Sequence, residues 1–264
     1  MTPWYILYVW VAASVAMFAG WLIQRRTRNA GIVDAIWSAC MAAAALFYAG
    51  LGSGGLVSRL AVAMLGGVWG SRLCIHILSR VLNEPEDGRY RYLREYWRDD
   101  QRKFFGFFMA QALLTALFSL PFYAVAENPR DALSIWCICG LTIWVVSVAG
   151  ESIADAQLSH FRKNPQNRGR TCRIGLWRYS RHPNYFFEWL HWFAYVFLSI
   201  GAPFPAWLLS YLGPTLMLAS LCWISGIPFT EAQALRSRGD DYREYQRTTS
   251  MLIPWFPKKN RAEG

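Results

Sequence analysis

The sequence predicts an all-α, polytopic integral membrane protein with about seven transmembrane helices, forming a single transmembrane domain over residues 1–264. Three observations carry this. Hydrophobic residues make up 54% of the chain, and its mean hydropathy is positive at +0.16. The apolar residues fall in blocks of about 20, the length of a bilayer-spanning helix, rather than in short periodic runs. Basic residues crowd into alternate connections between those blocks. Inside hydrocarbon every backbone group must pair within its own segment, so each block is expected to be helical.

The first block, 3–23, has no Lys or Arg ahead of it, whereas a secretory leader opens with basic residues, so it is expected to be a span. Loop 24–30 holds Arg25, Arg26 and Arg28 and leads to the second block, 31–49. The third block, 59–81, is followed by loop 80–103 with seven basic residues, and the fourth runs over 104–126. The fifth, 132–157, leads to loop 160–183, again with seven. The sixth, 184–201, starts just after Pro183, a residue that a helix tolerates in its first turn. The seventh is 206–229, and seven more basic residues follow it. In all, 24 of 27 basic residues lie on one side, with Arg59 and Arg130 opposite and Arg72 within a span. The positive-inside rule therefore predicts an outer N-terminus, a cytoplasmic C-terminus and an odd number of spans.

The outer connections (50–58, 127–131 and 202–205) are short and the cytoplasmic ones long and charged, so function is sought on the cytoplasmic face. The net charge of +10 is accounted for by this topology, with anionic lipid headgroups rather than nucleic acid as the natural partners. Six cysteines, mostly within spans and without a CxxC pair, argue against a disulfide framework and against a zinc site; no metal is expected. There is no evident internal repeat, and no clearly broken span of the kind that transporters use.

An ionisable group within a span costs a few kcal/mol on insertion scales, so each one needs a partner or a purpose. Glu151 and Asp155 share one face of the fifth span, to hold a ligand or to pair with Arg72 or loop arginines. Asn184, Glu188 and His191, with Tyr195 a turn on, form a polar stripe on the sixth. That stripe begins at a helix N-terminus, which favours an anionic or amide-bearing ligand. Arg72, His76 and Arg80 form a basic ridge along the third span. Asp34, beside Trp37, is the sole acid of the first two spans: a helix-terminal charge or a proton donor. Loops 86–94 and 162–170 set arginines beside helix ends, where they could grip phosphates, although positive-inside bias produces the same pattern.

The most informative stretch is Gly175 to Glu188, G-L-W-R-Y-S-R-H-P-N-Y-F-F-E. Its R-H-P-N-Y run resembles the steroid 5-alpha-reductase family, its DUF1295 relatives and, more distantly, the isoprenylcysteine carboxyl and phospholipid methyltransferases. The tail, with Glu231, Leu235, Gly239, Tyr242, Tyr245 and L-I-P-W at 252–255, resembles the closing motif of that superfamily. G-I-V-D-A-I-W at 31–37 and E-D-G-R-Y at 86–90 resemble DUF1295 in particular. The reductase- or methyltransferase-like part covers about 130–257.

The resemblance implies NADPH within the helical bundle, entered from the cytoplasm of a bacterial inner membrane. It implies cofactor contacts from Arg72, His76, Arg80, Glu151, Asp155, Arg162, Arg173, Tyr179, His182, Asn184, Tyr185, Glu188, Glu231, Tyr242 and Tyr245. The implied reaction is hydride transfer to the carbon–carbon double bond of a hydrophobic steroid-, isoprenoid- or lipid-like enone. Ile77 stands where the steroid reductases carry Tyr, and no Gln-Glu pair occurs in the second span. The proton donor is therefore sought among Asp34, His191 and Tyr90. The rival reading is S-adenosylmethionine-dependent methylation of a lipidic acceptor. The arginines at 162, 168, 170, 173 and 178 favour NADPH, which carries phosphates where the methyl donor carries none. A non-enzymatic or inactive nucleotide-binding membrane protein is the third reading.

Overall fold

The computed structural model describes residues 4–224 and 226–258. Among them the regular structure is helical, and the strand-like pairing present is an isolated bridge between Ser180 and Ser250. Ten α-helices follow in order: α1 Trp4–Thr27, α2 Ile32–Leu51, α3 Leu56–Asn83, α4 Gly88–Tyr96, α5 Gln101–Ala126, α6 Ile135–Lys163, α7 Pro183–Ser199, α8 Leu212–Ala219, α9 Ile227–Arg238 and α10 Asp240–Thr248.

Among the described residues, six segments are long and apolar enough to cross a membrane: α1, α2, α3, α5, α6 and the interrupted stretch Ala206–Arg238. The expected sixth span, α7, has 17 residues. At 1.5 Å per residue that is about 25 Å, short of a hydrocarbon core of about 30 Å, so a count of seven does not follow. The last span is also not the continuous helix expected. A 3-10 turn at Ala206–Tyr211 leads into α8, a π turn at Ser220–Ile224 follows, and α9 restarts after Gly226 with Pro228 in its first turn. Ser225 of this stretch, Pro3 of the first block and the tail residues Lys259 and Arg261 lie outside the described residues. The loop read over 80–103 contains α4, capped by Asp87, whose side chain accepts from the Arg89 backbone at 2.9 Å.

The chain divides into two compact units, residues 1–136 with 195–213, and residues 137–194 with 214–264. In the first unit α2 and α3 pack through small residues. A Cβ on Gly66 would lie 2.8 Å from that of Ala45, and one on Gly70 would lie 2.9 Å from the Ser38 carbonyl oxygen. Such close approach is how membrane helices gain packing energy without a hydrophobic drive between them. α5 joins this pair through Trp37 and Phe118, edge to face at 5.6 Å, and joins α1 through Trp21 and Phe105 at 5.3 Å. Asn128 closes the opposite end by donating to the carbonyls of Leu198 and Ile200.

In the second unit α6 and α7 run antiparallel in close contact, since a Cβ on Gly150 would meet the Phe187 ring at 2.4 Å. Gly175, in the left-handed region at φ 55°, turns the preceding loop beside the Gln157 side chain. Gln157 accepts from the Leu176 backbone and Trp177 donates to the Ala154 carbonyl, so the loop is pinned to α6 before α7 begins.

Candidate functional site

Polar residues on α6 and α7 form a ladder within the second unit. At the start of α7, Asn184 donates to Asp155 at 3.1 Å. Further along, Gly150 abuts Phe187, and deeper still the rings of Trp144 and His191 lie 6.4 Å apart. Residue numbers fall on one helix as they rise on the other, and Glu151 and Glu188 are the chain neighbours of the Gly150 and Phe187 that meet in the middle rung. Both are half-buried, and His191 is 2% exposed. The Trp144 indole N–H is buried without a hydrogen-bond partner among the described residues. A line of carboxylates and an amide ending at a histidine beside an unsatisfied donor offers acceptors and donors to a polar ligand. A buried donor without a partner costs roughly 1–3 kcal/mol, which a ligand oxygen would recover.

The R-H-P-N-Y run and the tail form a second constellation in the same unit. Glu231 accepts from Arg181 at 2.7 Å and from Gln246 at 2.7 Å; its Oε1 lies 3.2 Å from His182 Nε2 and 3.4 Å from the Tyr242 hydroxyl. Arg181 also donates to the carbonyls of Gln246 and Thr249. Tyr245 is buried and donates to the carbonyls of Trp177 and Ser180, and the Ser180 hydroxyl donates to that of Leu252. Burial pushes the Tyr242 and Tyr245 hydroxyls far above the ordinary tyrosine range, so both stay neutral donors. Tyr185 stacks on His182 at 5.4 Å and meets Thr230 at 3.2 Å. Tyr179 is at the surface, where its carbonyl accepts from Trp255. These bonds tie the loop before α7 to the tail.

The arginines of this loop divide into two groups. Arg173 pairs with Asp241 at 3.0 Å and Glu244 at 3.1 Å, and Arg181 pairs with Glu231. Arg162, Arg168, Arg170 and Arg178 are exposed, and their guanidinium groups make no ion pair or hydrogen bond among the described residues. Arg162 follows Asp155 by two turns on α6, about 10 Å along the axis.

Two of the three proton-donor candidates belong to the first unit and are joined. The Tyr90 hydroxyl donates to Asp34 at 2.7 Å, and Arg89 holds the other Asp34 oxygen at 3.3 Å. Burial, followed by the Asp34 charge, raises the Tyr90 hydroxyl well above its ordinary value. Asp87 bridges Arg89 at 3.3 Å and Arg80 at 3.6 Å. Beside them Glu86 accepts from Arg94 at 2.8 Å and from the Ala30 backbone at 2.7 Å. E-D-G-R-Y is thus the segment that fastens α4 to the turn between α1 and α2. Arg72 and His76 lie on an exposed face of α3 in this unit.

Sequence reasoning did not single out Trp144, Gln246 or Thr230, and it read the arginines of 86–94 as groups to grip phosphates, where Arg89 and Arg94 instead hold Asp34 and Glu86. Trp144 sits seven residues before Glu151, two turns of the same helix face, which a periodicity search extended by two turns would have reached. Gln246 and Thr230 carry no such signal, because their role appears only when the tail meets the loop. Comparison with known proteins gives a match to the family described as "Protein of unknown function (DUF1295)" over residues 20–249, most of the chain. No curated protein and no solved structure matches.

Proposed function

The chain belongs to the DUF1295 family, and from that premise we propose that it is a membrane-embedded, NADPH-dependent reductase of a carbon–carbon double bond in a hydrophobic enone. The observation that carries the reading is the division among the arginines. Arg173 and Arg181 are held by tail carboxylates, while Arg162, Arg168, Arg170 and Arg178 remain exposed and unpaired among the described residues. Unpaired guanidinium groups at a helix end suit a ligand with several phosphates, and S-adenosylmethionine has none.

The second unit is assigned the dinucleotide. Asn184 and Glu188 would offer the donor and acceptor that a carboxamide needs, Asp155 and Glu151 would accept from ribose hydroxyls, and Arg162 would hold phosphates. Glu231, His182, Tyr242, Tyr245 and Arg173 act as positioning residues that hold the loop from which α7 begins. When bound, the reduced nicotinamide supplies the hydride. His191 is assigned the proton, because it is the imidazole at the buried end of the ladder and an imidazole N–H is a proton donor. Tyr90 is the poorer donor: its hydroxyl already donates to Asp34, and it is harder to ionise than a free tyrosine. The basic loops support a site open to the cytoplasmic side of what we read as a bacterial inner membrane.

The test is turnover by the purified full chain in mild detergent with NADPH and a panel of isoprenoid, steroid and fatty enones. A product heavier by one hydride and one proton is expected, together with matching NADPH oxidation. His191→Gln should abolish turnover while NADPH still binds, and Glu188→Gln with Arg162→Ala should each weaken binding. Methylated product from S-adenosylmethionine, with NADPH inert, would assign the chain to the rival chemistry.

A further inference from the structure

A row of residues four apart on α3, turning by about 40° around the axis at each step, changes character halfway along. Toward its start Leu60, Met64 and Val68 are 51%, 65% and 55% exposed. At the same four-residue step the stripe continues as Arg72, His76 and Arg80, all exposed. The opposite face carries Gly66 and Gly70 against α2, so the stripe points away from the packed interior of its unit.

Depth decides what this means. α3 has 28 residues, about 42 Å at 1.5 Å per residue, and exceeds a hydrocarbon core of about 30 Å. Twenty steps of 1.5 Å from Leu56 reach His76, which puts Arg72 roughly 6 Å inside the apolar layer and Arg80 beyond it. Arg80 is accounted for by Glu84 at 3.4 Å and Asp87 at 3.6 Å. Arg72 and His76 make no hydrogen bond or ion pair among the described residues. A charged side chain at membrane depth costs about 2.5–3.5 kcal/mol on insertion scales unless it meets an anion or reaches water.

We propose that this row of α3 binds a membrane amphiphile with an anionic head group, the head at Arg72 and His76 and the chain along Val68 and Met64. Snorkelling to water would satisfy the arginine, but it leaves no role for the adjoining apolar half of the stripe. A small anion arriving from water has the same shortcoming. An anionic lipid satisfies both halves: from His76 at the edge of the apolar layer back to Met64 is about 18 Å along the axis, close to the roughly 15 Å of one leaflet. The inference stands apart from the reductase reading, since it concerns residues of the first unit and a different ligand.

The experiment titrates the purified full chain in detergent with dioleoyl phosphatidylglycerol, dioleoyl phosphatidylcholine or inorganic phosphate, reading the thermal midpoint and bound lipid by native mass spectrometry. Phosphatidylglycerol alone should raise the midpoint and stay bound. The double variant Arg72→Gln/His76→Gln should lose at least about tenfold in apparent affinity, equivalent to about 1.4 kcal/mol. Arg72→Lys should retain most of the response, which separates charge loss from misfolding, and Arg26→Gln, at an exposed position on α1, should leave it unchanged. Equal responses to both lipids, an unaltered double variant or an equal loss in Arg26→Gln would overturn the proposal. A response to phosphate alone, or a change of oligomeric state in the double variant, would overturn it as well. NADPH affinity measured on the same samples separates the two proposals: lipid binding that persists without nucleotide binding leaves this one standing, and a variant that loses NADPH but keeps lipid returns the ridge to the nucleotide.

Discussion

Arg181 and Glu231 meet at 2.7 Å with side chains only 11% and 15% exposed, and through that contact the loop entering α7 and the C-terminal tail become one structure. Gln246, His182 and Tyr242 converge on the same carboxylate. Glu231→Ala would leave Arg181 uncompensated among these neighbours. It is expected to cost about 3–5 kcal/mol, the range for breaking one partner of a buried pair. Thermal unfolding in detergent measures this. Glu231→Gln should cost less, because an amide still accepts from Arg181.

The contact between α6 and α7 depends on the missing side chain at Gly150. A methyl group there would lie 2.4–2.5 Å from Phe187, closer than packed atoms sit. Gly150→Ala is therefore expected to destabilise by about 1–3 kcal/mol. Adding Phe187→Leu should restore part of the loss, and a double-mutant cycle on the unfolding midpoint reads the coupling. Strictly additive effects would show that the two residues do not share the space.

Acid should loosen the attachment of α4. Burial opposes ionisation of Asp87, but the Arg89 guanidinium and backbone N–H outweigh it and hold the carboxyl below its ordinary value of 3.8. A depressed folded-state value means the stabilisation is present above 3.8 and is lost as pH falls through the lower folded value. The stability gap between the parent chain and Asp87→Asn should be full near neutral pH and close progressively in acid. Unfolding curves for both chains across pH measure that gap, and a gap independent of pH would rule out this carboxylate.

Hydropathy located α1, α2, α3, α5 and α6 because a membrane span must be a long apolar block, and α1 to α3 start and stop within a few residues of those blocks. Block-averaged hydropathy cannot see an interruption inside an apolar block, so the π turn before Gly226 went unread. α4 escaped for the opposite reason: it is short and arginine-rich, and its helicity rests on the Asp87 cap and on Glu86 pairing with Arg94. Helix spacing assembled Asn184, Glu188 and His191, and likewise Glu151 and Asp155, on single faces. It could not join Asp34 to Tyr90, or Arg181 to Glu231, since neither pair shares a helix. The same limit hid which arginines the tail neutralises, and that distinction is what sharpens the choice of ligand.

The central claim is that the second unit holds NADPH, and differential thermal stabilisation tests it most directly. The purified chain is heated with NADPH, NADH or S-adenosylmethionine, each near saturation. A ligand at about 100 times its dissociation constant adds about 2.7 kcal/mol to the folded state. The prediction is a clear upward shift with NADPH that Arg162→Ala and Glu188→Gln both diminish. Stabilisation by S-adenosylmethionine alone would contradict it.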